Sequence, residues 1–313
     1  MLQDRHKRIV ITGGTGLVGT ALQQVLADKG YENVVALSSK DCDLTDWLAT
    51  LQFFREIRPS LVYHLAARVY GIMGNMQNKG LSFLDNIRIN TNVVEACRQV
   101  GVEKIVAMGS GCVYPYPAPS RTLQEDMIWQ GAPHHSEDSY AHAKRAMLAQ
   151  LLAYREQWGT SFVFAISGNL YGPNDRFDPQ QGHVIPSLVR KFYEAKRDGG
   201  RVNVWGDGSA RRDFMFSLDA AEGLYHMMEK GEGPMNLCSG NVYAIKEIVD
   251  ILADITGLHD RIDWDSSKPN GQDYRAYDCS RLAATGFSPR YSLREGLELT
   301  YKWYEKHAKE ARH

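Results

Sequence analysis

Short apolar runs and longer stretches of helical periodicity alternate along the first half of the chain. Arg8 to Thr12, Val34 to Leu37, Leu61 to Leu65, Lys104 to Met108 and Ser161 to Ile166 are continuous and rich in Val and Ile. They read as strands buried on both faces, since a half-exposed strand would alternate apolar with polar residues. Between them, the segments running to Leu26, Trp47 to Ile57, Phe83 to Gln99 and Ser139 to Gln157 place apolar residues three and four apart, which predicts amphipathic helices. The alternation predicts an α/β fold with a doubly wound parallel sheet. Beyond Tyr171-Gly172-Pro173 the pattern loosens around Trp205-Gly206-Asp207-Gly208 and Lys268-Pro269-Asn270-Gly271. A smaller C-terminal α/β substrate-binding lobe is expected there. The expected division is 1–166 for the first lobe and 167–313 for the second. Ser217 to Met228 reads as a helix returning to the first lobe, within a segment of about 216–238, and the absence of a linker composition makes the lobes interlocked.

Charge narrows the partners. The 36 Lys and Arg balance 37 Asp and Glu, so no overall field draws the chain to nucleic acid or to an anionic membrane. The charged start of the chain and the lack of a long uncharged apolar stretch predict a cytoplasmic protein. Cys42, Cys97, Cys112, Cys238 and Cys279 are scattered without a CxxC pair or metal-ligand spacing. They are expected to be reduced, and no metal is expected.

The first strand runs into Gly13-Gly14-Thr15-Gly16-Leu17-Val18-Gly19 and then a helix. Glycines at this spacing permit a tight turn, close backbone approach to a pyrophosphate and close helix-on-strand packing, the arrangement of a Rossmann dinucleotide site. The second strand ends in Ser38-Ser39-Lys40, without the carboxylate that binds a ribose 2′-hydroxyl in NAD sites. Hydroxyls and a cation there favour the 2′-phosphate of NADP(H), although such a tripeptide also makes an ordinary solvated turn. Asp43, followed by Leu44, either accepts from an adenine amino group or caps the next helix.

Tyr140 and Lys144 stand one helical turn apart, so both side-chain heads reach one site. An adjacent ammonium is expected to lower the phenol's pKa and make Tyr140 an acid–base group. Ser110, ending the preceding strand, is placed to bind the same substrate oxygen.

Together these elements resemble the extended short-chain dehydrogenase/reductase family. The resemblance implies that Tyr140 protonates the oxygen of a reduced carbonyl, that Lys144 also holds the nicotinamide ribose, and that Ser110 orients the carbonyl. Ala66 and Ala67, closing the third strand, join the implied cofactor site. A narrower resemblance, spanning nearly the whole chain, is to the GDP-L-fucose synthase family of 3,5-epimerase-4-reductases. It is carried by Ser38 to Asp41, Asp43 to Asp46, His64 to Ala67, Ser110 to Pro115, Asn169 to Asp175, Gly182 to Pro186 and Val204 to Gly208. It implies NADPH-dependent reduction at C4 of a GDP-4-keto-deoxy sugar, with Cys112 and His183 inverting C3 and C5. Such inversion suits a 4-ketone, which acidifies both neighbouring carbons, and a thiol is readily tuned into the base. The resemblance further implies substrate contacts at Asn169, Val184, Trp205, Arg212, Lys268 and Arg275, and a homodimer.

The chain departs from that pattern at Tyr70, where a glycine is expected, at Gly111, where a hydroxyl residue is expected, and at Ser167-Gly168, where Pro-Thr is usual. These changes bear on which sugar is used. The alternatives are a C4 reductase of another GDP-sugar, such as a heptose, without full epimerisation, and a non-catalytic dinucleotide sensor.

Overall fold

A computed structural model describes residues 4–69, 76–179, 182–268 and 272–312. Tyr70 and the Pro269-Asn270-Gly271 turn lie outside the described residues. In the first lobe the chain alternates β1 (Ile9–Thr12), α1 (Leu17–Asp28), β2 (Val34–Leu37), α2 (Trp47–Ile57), β3 (Leu61–His64), α3 (Lys79–Val100) and β4 (Lys104–Met108). A short β5 (Thr122–Leu123), α4 (Asp138–Trp158) and β6 (Phe162–Ser167) follow. The second half contains β7 (Asn169–Tyr171), α5 (Val184–Asp198), β8 (Val202–Trp205), β9 (Arg211–Phe216), α6 (Ser217–Lys230) and β10 (Gly233–Leu237). It ends with β11 (Val242–Ala244), α7 (Ile245–Thr256), β12 (Ile262–Asp265), β13 (Tyr274–Tyr277), α8 (Ser280–Ala283) and α9 (Leu293–His307).

The main sheet has six strands in the order β10-β6-β4-β3-β1-β2, every neighbouring pair parallel. The order reverses between β1 and β3, and ligands of such sheets bind outside the carboxyl ends of the strands at that point. Both faces are covered, which explains the unbroken apolar runs. Val10, Val62, Ile105 and Phe164 pack with α2, α3 and α4 on one face, whereas Ile9, Tyr63, Val106 and Val163 pack with α1 and α6 on the other. The doubly wound fold expected from the periodicity is thus the fold observed.

Two details differ from expectation. Helix α3 begins at Lys79, before its apolar periodicity starts, where Lys79 pairs with Asp138 and donates to the His135 carbonyl. Cys238 and Cys279 form a disulfide, contrary to the expectation of five reduced thiols. The residue after β10 and a residue just beyond β13 are brought to a Cα separation of 5.9 Å, within bridging range, which sequence spacing does not disclose.

After β9, α6 packs on α1, and β10 joins the main sheet beside β6. Lys104, buried in β4, donates to the carbonyls of Met227, Met228 and Gly231 at 3.0, 2.8 and 2.7 Å, satisfying the C-terminal end of α6. The other half builds a second sheet, β11-β9-β13-β5 with β7 paired to β9, beside an independent β8–β12 pair. Its core joins Phe177, Phe192, Phe214, Leu252 and Tyr304 from helices α5, α7 and α9 and the neighbouring chain.

Candidate active site

The glycine turn is shaped by what surrounds it. Gly13 has φ 70°, and a Cβ on it would lie 2.9 Å from the Ala66 backbone nitrogen. A Cβ on Gly14 would meet Ala36 at 2.7 Å, and one on Gly19 would lie 2.4 Å from the Gly13 carbonyl oxygen. Gly16 precedes α1 as its N-cap with no side chain covering the helix end. The Gly13 turn is therefore pressed against Ala66 and leaves backbone N–H groups at a helix N-terminus open to an anion. Thr15 is exposed, and Val18 packs against the core between α1 and the sheet. The residues present fit a dinucleotide diphosphate.

Beneath the turn runs a buried polar relay. Thr12 Oγ1 lies 2.8 Å from His64 Nδ1, and His64 Nε2 lies 3.2 Å from Asn90 Oδ1. An amide oxygen only accepts, so Nε2 carries the proton and the Thr12 hydroxyl donates to Nδ1. Burial, with the nearby charge of Lys144, pushes the His64 imidazole down to about 3, which keeps it neutral. Asn90 then donates to the Ala143 carbonyl at 3.4 Å, so the relay ends on the helix that carries Tyr140 and Lys144.

At the end of β2, the Ser38 hydroxyl donates to the Asp41 carboxylate at 2.6 Å and accepts from the Lys40 N–H at 3.2 Å. Ser39 and Lys40 are exposed. Asp43 Oδ1 accepts from the backbone and hydroxyl of Thr45, while Asp46 caps α2, so the capping role considered for Asp43 belongs to Asp46. The Leu44 side chain is in the core and its carbonyl accepts from Asn92.

Ser110 follows β4 and caps the single turn Gly111–Val113, accepting from the Cys112 N–H at 3.4 Å. Arg145 Nε donates to the Val113 carbonyl at 2.8 Å, which fastens this turn to α4. Tyr140 and Lys144 on the same helix complete the cluster, the Lys144 ammonium 5.7 Å from the Tyr140 ring centroid. Lys144 is 1% exposed, and burial pushes it down to about 8. The expected lowering of the Tyr140 pKa is not found. Burial raises it, with the charges of Cys112 and Glu137 adding, because a phenolate is costly to desolvate. Burial likewise pushes Cys112 up to about 12, with Glu137 adding and Ser110, Arg275 and Lys144 opposing. Burial thus holds Cys112 as a thiol, opposite in direction to the tuning toward a base expected from sequence.

His183 is exposed and precedes α5, whose first residue is Val184. Its charge acts on the buried Asp175. Asp175 is buried, its Oδ2 has no hydrogen-bond partner, and burial pushes the carboxyl up to about 6 against the charges of His183 and Arg312.

Across the cleft, β9 and β13 pair Arg212 with Arg275. Neither guanidinium has a carboxylate within salt-bridge range among the described residues. Burial and the charge of Arg275 push Arg212 down to about 10. Two adjacent cations with no carboxylate in salt-bridge range among the described residues are suited to a diphosphate. Asn169 donates its amide to the Asp213 carbonyl at 3.1 Å. Trp205 and Lys268 form a separate surface group with Lys191, the ammonium groups 5.9 and 5.4 Å from the indole.

Two contributors escaped sequence reasoning. Glu137, the N-cap of α4, acts on Cys112, Tyr140 and both arginines, and an isolated glutamate carries no signal of that. Tyr277, at the end of β13, fills the space over Gly111 and Gly168, and those two glycines were its only trace in the sequence.

The model of the NAD dependent epimerase/dehydratase family matches residues 9–238. The chain belongs to this family. Within the epimerase/dehydratase family it is 35% identical over 308 residues to a protein named GDP-L-fucose synthase 1 from Arabidopsis thaliana, covering 97% of this chain and 95% of that one. The solved structure of a GDP-L-fucose synthetase from Naegleria fowleri bound to NADP is similar at a TM-score of 0.94 and 31% identity, covering 100% of this chain and 97% of that one. A GDP-6-OMe-4-keto-L-xylo-heptose reductase from C. jejuni is similar at a TM-score of 0.91 and 27% identity, covering 97% and 99%. Both resemblances read from the motifs, to the extended short-chain dehydrogenases and to the GDP-L-fucose synthases, are supported by these matches.

Proposed function

We propose that this protein is an NADPH-dependent C4 reductase of a GDP-4-keto-deoxy sugar that also inverts C3 and C5. The observation that carries the reading is Tyr140 and buried Lys144 held on one helix beside Ser110, at the carboxyl edge of a sheet whose first turn is a glycine cradle. In this proposal Gly13 to Gly19 hold the cofactor diphosphate, Ser38, Ser39 and Lys40 take its 2′-phosphate, and Asp43, Leu44, Ala66 and Ala67 border the adenine and ribose. NADPH supplies a hydride to the C4 carbonyl. Ser110 donates a hydrogen bond to the C4 oxygen, and Tyr140, whose raised pKa keeps it protonated, gives that oxygen its proton as negative charge develops. Lys144, still mostly cationic at neutral pH, stabilises the phenolate left behind.

For inversion, His183 takes a proton from the carbon next to the ketone, and the Cys112 thiol delivers one to the opposite face. Arg212 and Arg275 hold the diphosphate, with Asn169, Val184, Trp205 and Lys268 as further contacts. A second reading, C4 reduction of a GDP-heptose without full inversion, is favoured by the similar C. jejuni reductase. Deuterated solvent separates the two: label at C3 and C5 of the product is expected from the first reading, and unlabelled reduced product would favour the second.

We infer a homodimer through α3 and α4, where Leu81, Phe83 and Leu84 of α3 are exposed. Cytoplasmic location remains part of the proposal; among the described residues no helix is long and apolar enough to cross a membrane.

A further inference from the structure

Three residues far apart in sequence meet beside Ser110 and Cys112. A Cβ on Gly111 would stand 2.0 Å from the Tyr277 hydroxyl oxygen and 2.9 Å from its Cζ, and a Cβ on Gly168 would stand 3.2 Å from Cε2 of the same ring. Neither glycine has a positive φ, so the backbone conformation does not call for glycine at either place. What both supply is room, and one phenol fills it. The Tyr277 ring is 5% exposed and packs against Tyr114 at 6.0 Å between centroids. Arg275, two residues earlier on β13, shares the strand face and hydrogen-bonds the hydroxyl. The phenol oxygen is thereby aimed at the short turn that joins Ser110 to Cys112, near enough to the thiol for their charges to interact.

We propose that Tyr277 is a specificity-determining residue whose hydroxyl hydrogen-bonds the oxygen substituent on the carbon next to the keto carbon of the substrate. This rests on the reading given above, in which Ser110 addresses the C4 oxygen and Cys112 an adjacent carbon. Of the two carbons flanking C4, C5 carries the ring oxygen and C6, and C3 carries a hydroxyl, so a donor lying between Ser110 and Cys112 meets the C3 hydroxyl. A site built around such a bond discriminates against an analogue that lacks the group, because the phenol's buried O–H is then left without an acceptor even though Arg275 still donates to its oxygen.

The test compares NADPH consumption with GDP-4-keto-6-deoxymannose and with its 3-deoxy counterpart, for the wild type and Tyr277→Phe. The wild type is expected to prefer the 3-hydroxy sugar by about 10-fold or more in kcat/KM. Tyr277→Phe is expected to bring the ratio near one, with the loss falling on the sugar nucleotide's KM and not the cofactor's. Gly111→Ala, which displaces the phenol, is expected to lower the ratio too, and Gly111→Ala/Tyr277→Ala to be no worse than Tyr277→Ala, which separates displacement from general damage. A wild type that consumes NADPH with both sugars at a ratio Tyr277→Phe does not change overturns this inference alone. A wild type that consumes it with neither overturns the reading of function and this inference together.

Discussion

The two walls of the cleft are built on opposite principles. On the glycine-turn wall the polar groups are matched: Thr12, His64, Asn90 and Ala143 form a continuous chain of hydrogen bonds, close packing fixes Gly14 and Gly19, and a positive φ together with close packing fixes Gly13. On the opposite wall groups are left unmatched: among the described residues Arg212 and Arg275 stand side by side with no carboxylate in salt-bridge range, Cys112 is a desolvated thiol, and beyond that wall the buried Asp175 keeps an oxygen with no hydrogen-bond partner. A site for an invariant ligand part can be rigid and complete on its own. One that recognises a charged, reacting molecule carries the unsatisfied charges its substrate will satisfy, and folding bears the cost.

Replacing both arginines strikes the unmatched wall hardest. Arg212→Met/Arg275→Met is expected to lower kcat/KM for the sugar nucleotide by about 100-fold or more, at a little-changed KM for NADPH, since each lost charge-assisted bond accounts for roughly 1.5–3 kcal/mol. Steady-state kinetics with each substrate varied in turn measures it. Gly19→Ala strikes the matched wall. Its methyl has no room beside the Gly13 carbonyl, and the overpacking is expected to weaken NADPH binding by about 10- to 100-fold, read by titrating cofactor fluorescence.

Asp175→Asn sharpens the contrast at a smaller scale. The folded carboxyl titrates at about 6, above its ordinary 3.8, so in between the native state holds a proton that the unfolded chain has released. Stability therefore falls as pH rises through that window and stays lower above it. The variant is expected to be more stable than the wild type at neutral pH by about 1–3 kcal/mol and to converge with it near pH 4, as thermal melts across pH would show.

The same contrast explains what the sequence disclosed. The matched wall is local: a strand, a glycine turn and a helix within about twenty residues produce it, and YxxxK lies on one helix, so spacing was enough. The unmatched wall is assembled from β4, the start of α4, β9 and β13, segments far apart in the chain. Arg212 and Arg275 were found there only through resemblance, and Glu137 and Tyr277 were not found. Burial is a property of the assembled fold, so the lowering expected of Tyr140 from its helical neighbour and the tuning of Cys112 toward a base were both read in the wrong direction, and the meeting of Cys238 with Cys279 was not foreseen.

The most direct measurement follows the near-ultraviolet absorbance of NADPH mixed with the protein and a GDP-4-keto-6-deoxy sugar, for the wild type and Tyr140→Phe. Steady loss of absorbance with the wild type, slowed by about 100-fold or more in the variant, is the expected result. Equal rates for the two proteins, or no loss with any GDP-4-keto sugar, would contradict the placement of Tyr140 as the proton donor of a sugar-nucleotide reductase.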